Sequence, residues 1–429
     1  MITSTIGKIF LDAYNEKYKC SYDARTFFDE VYFPLFFNSN KYMQWVQNSP
    51  FVQMKGGQKV DRLTEAERLE KLDIFHDKIG AGAVDASVAI GYAASELKEF
   101  ATTSGQVTNI SFDVSEDSIY YSWIGSGLGI GLQGGMSLLF SDKEILLDLF
   151  EGWGIYRKLL DTNDDLKGNQ IGTWNGQWLA HRYDDEYNES NPMQNFDPYE
   201  TKADVLSIKT QSWTKVLIGI AMKYKYVQLT GYVYSFGQTN TTVGFIPFVL
   251  PEIKRPVQLY KKLFGLKNAK EAEQMWGTEK GLRLCCQAGV IGLKAMAPKG
   301  VIKFIGDRTV PKIKKDNEKQ QITYNTYITW ILAMLKNDEL WDVAQDFAQV
   351  LHDYVSKYEK KLSTKRSNDV DKVLGSVNKK TFIEALTEIV KSAEDKESIT
   401  NLAKEVNMMP ADNVPYFLTL IRFNYASIN

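Results

Sequence analysis

Apolar positions along this 429-residue chain change their period several times, and each change predicts a different kind of element. Between Ala24 and Phe37 the residues Phe27, Phe28, Val31, Tyr32, Leu35 and Phe36 recur at three and four, which predicts a helix with one core face and a bend at Pro34. Gly56-Gly57-Gln58-Lys59 predicts a loop, and Thr64-Glu65-Ala66-Glu67 opens a helix with an acidic first turn. The small residues of Asp85 to Phe100 predict another, closely packed helix, so residues 7–100 read as mainly helical. From Val107 the period shortens. Ile110–Val114 and Ile119–Ile124, around a polar turn at Ser115 to Ser118, predict a β-hairpin, with further strands at Leu128–Leu132 and Met136–Phe140 flanking Gln133-Gly134-Gly135. Ser141 and Glu144 predict a capping box for a helix through Leu160 that buries Ile145, Leu149, Trp153 and Tyr156. The polar, acidic stretch 161–204 predicts a long surface excursion.

Helical spacing returns at Ser212 to Met222, where Trp213, Val216, Leu217 and Ile220 share a face. Val227 to Phe236 then alternates toward Gly237-Gln238-Thr239-Asn240 and returns through Val243, Phe245 and Phe248, a second predicted hairpin. Pro256 and Gly265 bracket Val257–Phe264 as a short helix. The longest amphipathic run is Leu340 to Tyr358; after a predicted linker at Ser363 to Asp369 come helices at Thr381–Val390, Ile399–Val406 and Val414–Phe423. The sum is an α+β protein: mixed helix and antiparallel-sheet bodies at 1–204 and 205–319, followed by a helical bundle at 320–429.

Composition adds little to that picture except in charge. Three cysteines, Cys20, Cys285 and Cys286, cannot build a disulfide framework, and no stretch approaches ~18 uncharged apolar residues, so the expectation is a cytoplasmic, non-membrane protein. The net charge of −2 hides an asymmetry: residues 1–204 hold 18 Lys+Arg against 31 Asp+Glu, residues 205–319 hold 20 against 7, and residues 320–429 hold 13 against 15. A concentrated positive field attracts polyanions. Lys209, Lys215, Lys223, Lys225, Lys254, Arg255, Lys261 and Lys262 stand among Trp213, Tyr224, Tyr226, Tyr232, Tyr234, Tyr260 and Phe264, and Arg308, Lys312, Lys314 and Lys315 follow Phe304. Cations for phosphates interleaved with aromatic faces for bases predict contact with nucleic acid, DNA or RNA.

Motifs that would fix a reaction are weak. Gly125, Gly127, Gly129 and Gly131 fall at every second residue and, on an extended strand, would bare one face for tight packing or for a partner. Gly129 to Gly134 matches GxGxxG, yet a strand rather than a helix follows, which argues against a dinucleotide; no cofactor is expected. Glu252-Ile253-Lys254 and Glu200-Thr201-Lys202 imitate the Glu-x-Lys of metal-dependent nucleases without a correctly placed first Asp. A nuclease would have to gather distant carboxylates such as Asp113, Asp148 and Glu151. His76, His181 and His352 have no partner at ligand spacing, so no metal is expected; His181, near Asp184, is the one histidine that could act as a base held by a carboxylate.

A mixed head followed by a helical tail resembles, in layout alone, the large subunits of CRISPR interference complexes, which implies a non-catalytic, prokaryotic nucleic-acid-binding subunit of a defence ribonucleoprotein. Two alternatives carry different expectations: a metal-dependent nuclease of a defence or restriction system, and an interaction subunit whose acidic and basic bodies meet head to tail or meet other protein subunits.

Overall fold

The computed structural model describes residues 1–82, 88–91, 94–95, 107–108, 114–235, 241–312, 314, 316–356 and 360–428. It is an α+β protein that divides into two compact units, residues 1–248 and 249–429. The boundaries expected at 204/205 and 319/320 fall inside these units. Strand pairing ties 136–140 to 231–235 in one sheet, and helix packing ties 250–264 to 318–335.

The first unit opens with α1 (Ile2–Tyr18), followed by a helical run of α2 (Ala24–Phe27), a π-turn (Phe28–Tyr32) and α3 (Phe33–Phe36). The predicted bend at Pro34 falls one turn earlier: the N–H of Phe33 reaches the carbonyl of Phe28, and the helix widens just before a residue that has no N–H to offer. After α4 (Glu65–Gly80), which opens with an acidic first turn as predicted and is capped by Thr64 and Glu67, β1 (Ala94–Ser95) and β2 (Val107–Thr108) pair in parallel. The helix expected over Asp85–Phe100 lies largely outside the described residues, and its described parts are a turn at 88–91 and β1. Residues 110–113 of the first predicted hairpin also lie outside them. Its second half is no strand: Ile119–Ile124 belongs to α5 (Glu116–Gly127), started by the Ser115 hydroxyl accepting the N–H of Ser118 and by acidic Glu116 and Asp117. Aromatic and β-branched side chains suggested a strand there, but burial of Ile119, Tyr120, Trp123 and Ile124 follows a helical face.

Then come β3 (Ile130–Leu132), β4 (Met136–Phe140), α6 (Lys143–Thr162), α7 (Ile171–Arg182), β5 (Tyr199–Lys202), β6 (Val205–Ile208), α8 (Trp213–Lys223), β7 (Gln228–Ser235) and β8 (Thr241–Val249). The sheet order is β3-β4-β7-β8, with β3–β4 and β4–β7 antiparallel, while β5 and β6 form a separate hairpin. The turn at 237–240 lies outside the described residues. Asp142, not Ser141, caps α6, its carboxylate accepting the N–H groups of Glu144 and Ile145 at 3.1 Å each. The surface excursion expected at 161–204 is overturned by α7, whose Trp174 and Trp178 are buried. Its polar residues face inward too: Asn175 and Gln177 are buried, and an inward polar face leaves no amphipathic period to read. An aromatic core ties the unit together, with Tyr32 stacked on Phe36 at 4.0 Å and Phe37 on Phe51 at 4.2 Å.

The second unit begins with α9 (Leu250–Phe264), which starts before Pro256 and carries it internally, so the short helix predicted from Val257 is the later half of a longer one. Short helices α10 (Ala269–Glu273), α11 (Leu282–Cys286) and α12 (Val301–Asp307) lead to α13 (Glu318–Leu335), α14 (Leu340–Ser356), α15 (Lys360–Leu374), α16 (Lys379–Val390), α17 (Lys396–Met408) and α18 (Val414–Ile428). The linker expected at Ser363 to Asp369 is part of α15, where Arg366 packs its guanidinium 4.4 Å from the Tyr354 ring and donates to the Tyr354 carbonyl at 3.1 Å. A residue that reads as linker polarity is an inward-facing cation.

Candidate binding cleft and basic surface

The first unit holds a cleft of about 970 Å³ whose walls come from short segments of α5, β3, β4, α7, β5 and β7 and from the loops beside them. Its floor is the glycine stretch. Asn175, fully buried on α7, donates from Nδ2 to the carbonyls of Gly127 at 2.8 Å and Gly129 at 2.9 Å, while its Oδ1 accepts from Trp153 Nε1 at 3.3 Å. A Cβ on Gly176 would stand 2.6 Å from the Gly131 carbonyl, so the α7–β3 approach requires glycine there. The 44–48 loop, the β3–β4 turn Gln133-Gly134-Gly135 and the start of α7 also line it.

Around this floor the chemistry is neutral. Among the described residues that line the cleft, the one charged pair is Lys202 and Glu200, 2.6 Å apart. Gln44 is committed: its Oε1 accepts from the Tyr32 hydroxyl at 2.7 Å and its Nε2 donates to Ser126 at 2.8 Å. Gln170 accepts the Ile208 N–H at 3.1 Å. The side chains of Asn48 and Asn169, both exposed, make no hydrogen bond among the described residues, and both hold left-handed backbone at φ 64° and 60°. Trp45 stands 46% exposed at the wall, with its indole N–H 3.3 Å from Gln47 Oε1.

The four predicted glycines therefore do different things. Gly125 and Gly127 lie in α5 rather than on a strand, and both are buried: a Cβ on Gly125 would collide with the backbone of Thr3, and one on Gly127 would press on Phe36 and Tyr32. Their bare faces are filled by this chain's own helices. Gly129 and Gly131 line the cleft, yet a Cβ on Gly129 would meet the Tyr234 hydroxyl at 2.8 Å and one on Gly131 the Gly172 backbone at 2.9 Å.

The predicted cations are split between the units. Lys215, Lys223 and Lys225 of the first unit are exposed, and Lys209 lies 3.8 Å from Asp197. In the second unit, α9 pairs part of its charge at the surface: Arg255 and Lys262 both bind Asp338, at 3.0 Å each, and Lys261 lies 4.0 Å from Glu273. Arg308 donates to the Gly375 carbonyl at 3.2 Å. Lys254, Lys312 and Lys314, together with Lys303, make no ion pair among the described residues. Lys315 lies outside those residues.

Asp148 and Glu151, invoked for metal chemistry, are spent on cations and hydroxyls. Asp148 Oδ1 accepts from Arg182 at 3.3 Å and Oδ2 from the Tyr183 hydroxyl at 2.7 Å; Glu151 bridges Arg182 at 2.9 Å and Lys17 at 2.7 Å. Burial opposes the Arg182 charge, but Asp148 and Glu151 outweigh it and raise its pKa. Asp113 lies outside the described residues, and among those residues no three His, Cys, Asp or Glu side chains gather as a metal ion would require. His181 stacks on Phe196 at 4.2 Å with Nε2 2.8 Å from the Pro192 carbonyl, and burial lowers its pKa. At neutral pH it is a neutral N–H donor to that carbonyl, with the Asp184 charge only partly countering the burial. Burial pushes the Cys286 thiol up to about 11, away from thiolate reactivity. No described helix is long and apolar enough to cross a membrane.

Compared with models of protein families, with curated proteins and with solved structures, the chain matches none. The site must be read from its own residues. Trp45, Asn48, Asn169 and Asn175 were missed in the sequence because neutral side chains leave no trace in charge counts. Turn chemistry was the available signal: Asn48-Ser49-Pro50 and Gly168-Asn169 both mark backbone that asparagine tolerates in left-handed form.

Proposed function

We propose that this chain is a non-catalytic nucleic-acid-binding protein. The observation that supports it is the surplus of positive charge in 249–319, 16 Lys+Arg against 7 Asp+Glu: Glu252 goes to Lys336 at 3.7 Å, Glu273 to Lys261 at 4.0 Å and Glu318 to Lys267 at 3.6 Å, while Lys254, Lys303, Lys312 and Lys314 have no ion-pair partner among the described residues. Surface ammonium groups without a carboxylate retain their full field, and a polyanion gains by releasing counterions to them.

The test is a salt series with labelled single- and double-stranded DNA and RNA, using the wild type and the Lys254→Glu, Lys303→Glu, Lys312→Glu, Lys314→Glu variant. Four phosphate contacts predict affinity falling about a hundredfold between about 50 and 200 mM salt, and the reversal flattening that slope. Lys262→Glu serves as contrast: it opposes Asp338 and lowers stability more than affinity. An unchanged slope in the quadruple variant, or no binding by the wild type at micromolar concentration, overturns the reading.

A further inference from the structure

The geometry points to a second kind of contact, resting on the nucleic-acid reading above: the neutral cleft of the first unit takes the unpaired bases of a single strand. Phosphates are poor occupants, because Lys202, the one lining cation among the described residues, is already held by Glu200 at 2.6 Å. Sugars are poor occupants for the converse reason, since the carboxylate that would accept paired hydroxyls is that same Glu200. What the cleft does offer is an indole face at Trp45 and the unengaged carboxamides of Asn48 and Asn169, each with donors and an acceptor. A nucleobase has both matching features, a π-face and an edge of alternating donors and acceptors, and asparagine reads such edges. In a duplex the faces are stacked and the pairing edges occupied, so an aromatic face selects single strands.

The glycine turn adds a geometric reason. At Gly134 no described neighbour lies within 4 Å of the place a Cβ would take, so a flat ring can approach the backbone of the β3–β4 turn closely, and the Asn175 clamp fixes the nearby Gly127 and Gly129 carbonyls without adding charge. Phosphate contact and base contact then fall to different parts of one chain, the first giving affinity and the second giving dependence on the bases.

The experiment uses the full chain with a labelled single-stranded 12-mer and an abasic 12-mer of equal charge. The wild type is expected to bind the base-bearing strand about tenfold or more tightly than the abasic one, and Trp45→Ala with Asn48→Ala to erase that preference while leaving the salt slope unchanged. A second readout guards against misfolding: the fluorescence difference between wild type and Trp45→Phe is quenched by the base-bearing strand and not by the abasic one. Equal affinity of the wild type for both strands overturns the cleft assignment and leaves the nucleic-acid reading standing. No binding of either strand removes the nucleic-acid reading and the cleft assignment with it.

Discussion

The cleft floor at 127–129 and the turn at 374–376 pose the same problem, irregular backbone whose carbonyls need donors, and meet it with opposite chemistry. At the floor the donor is the neutral carboxamide of Asn175. At the turn, Arg422 donates from Nε to the Leu374 carbonyl and from Nη2 to the Ser376 carbonyl at 2.7 Å, and Arg308 takes the Gly375 carbonyl at 3.2 Å. Arg422 is only 4% exposed, and burial, helped by the positive charge of Arg308, pulls its pKa down to about 10, which still leaves it charged at neutral pH. The difference teaches that a donor is chosen for its surroundings as much as for its hydrogen bond. A carboxamide anchors the cleft without giving it a field, whereas guanidinium anchors add positive charge to a unit already rich in it.

That contrast can be broken at its tightest point first. Gly176→Val places side-chain carbon against the Gly131 carbonyl, and since both groups are backbone-fixed, loss of cooperative unfolding or a cost of about 4 kcal/mol or more is expected, measured by urea denaturation. Next, Arg422→Met strands the Leu374 and Ser376 carbonyls in the interior and is expected to cost about 2–4 kcal/mol, against about 1–3 kcal/mol for Asn175→Ala, in the same assay. If Asn175→Ala proves the costlier, the neutral anchor is the stronger one and the comparison inverts. The smallest effect tests another neutral donor. Because burial holds the His181 pKa below its ordinary 6.5, the unfolded chain takes up the proton first. Its stabilising contribution is complete above about 6.5 and fades as pH falls through the folded value. His181→Phe keeps the stack on Phe196 and is expected to lower stability by about 1 kcal/mol at pH 7 while flattening the fall in Tm between about pH 7 and 5.

How much of this was legible follows from which forces leave a periodic trace. α14, α16 and α17 were readable because their apolar residues line one face, and β7 and β8 because theirs alternate. α13 escaped notice: Tyr324, Ile328, Trp330 and Leu332 are buried on more than one side, alongside Thr326 and Thr329, so it has no polar face to set a period. α5 was misread because Tyr-Tyr-Ser-Trp-Ile carries strand propensity that tertiary packing overrides. For the site, charge counting found the lysines but could not distinguish Lys262, bound to Asp338, from Lys254, which has no ion-pair partner among the described residues. The glycine run was visible, while its anchor lies 46 residues from Gly129 on a helix whose polar residues read as surface.

Asp338 has a mechanical meaning as well. Pro256 deletes one rung of the α9 ladder, and a helix so interrupted would ordinarily flex there. Arg255 within the interrupted turn and Lys262 about two turns beyond it bind the same carboxylate, so a single side chain braces the weak turn against the helix that follows. The helix is thereby held as one rod, and Lys254 rides on it as a fixed charge rather than a swinging one.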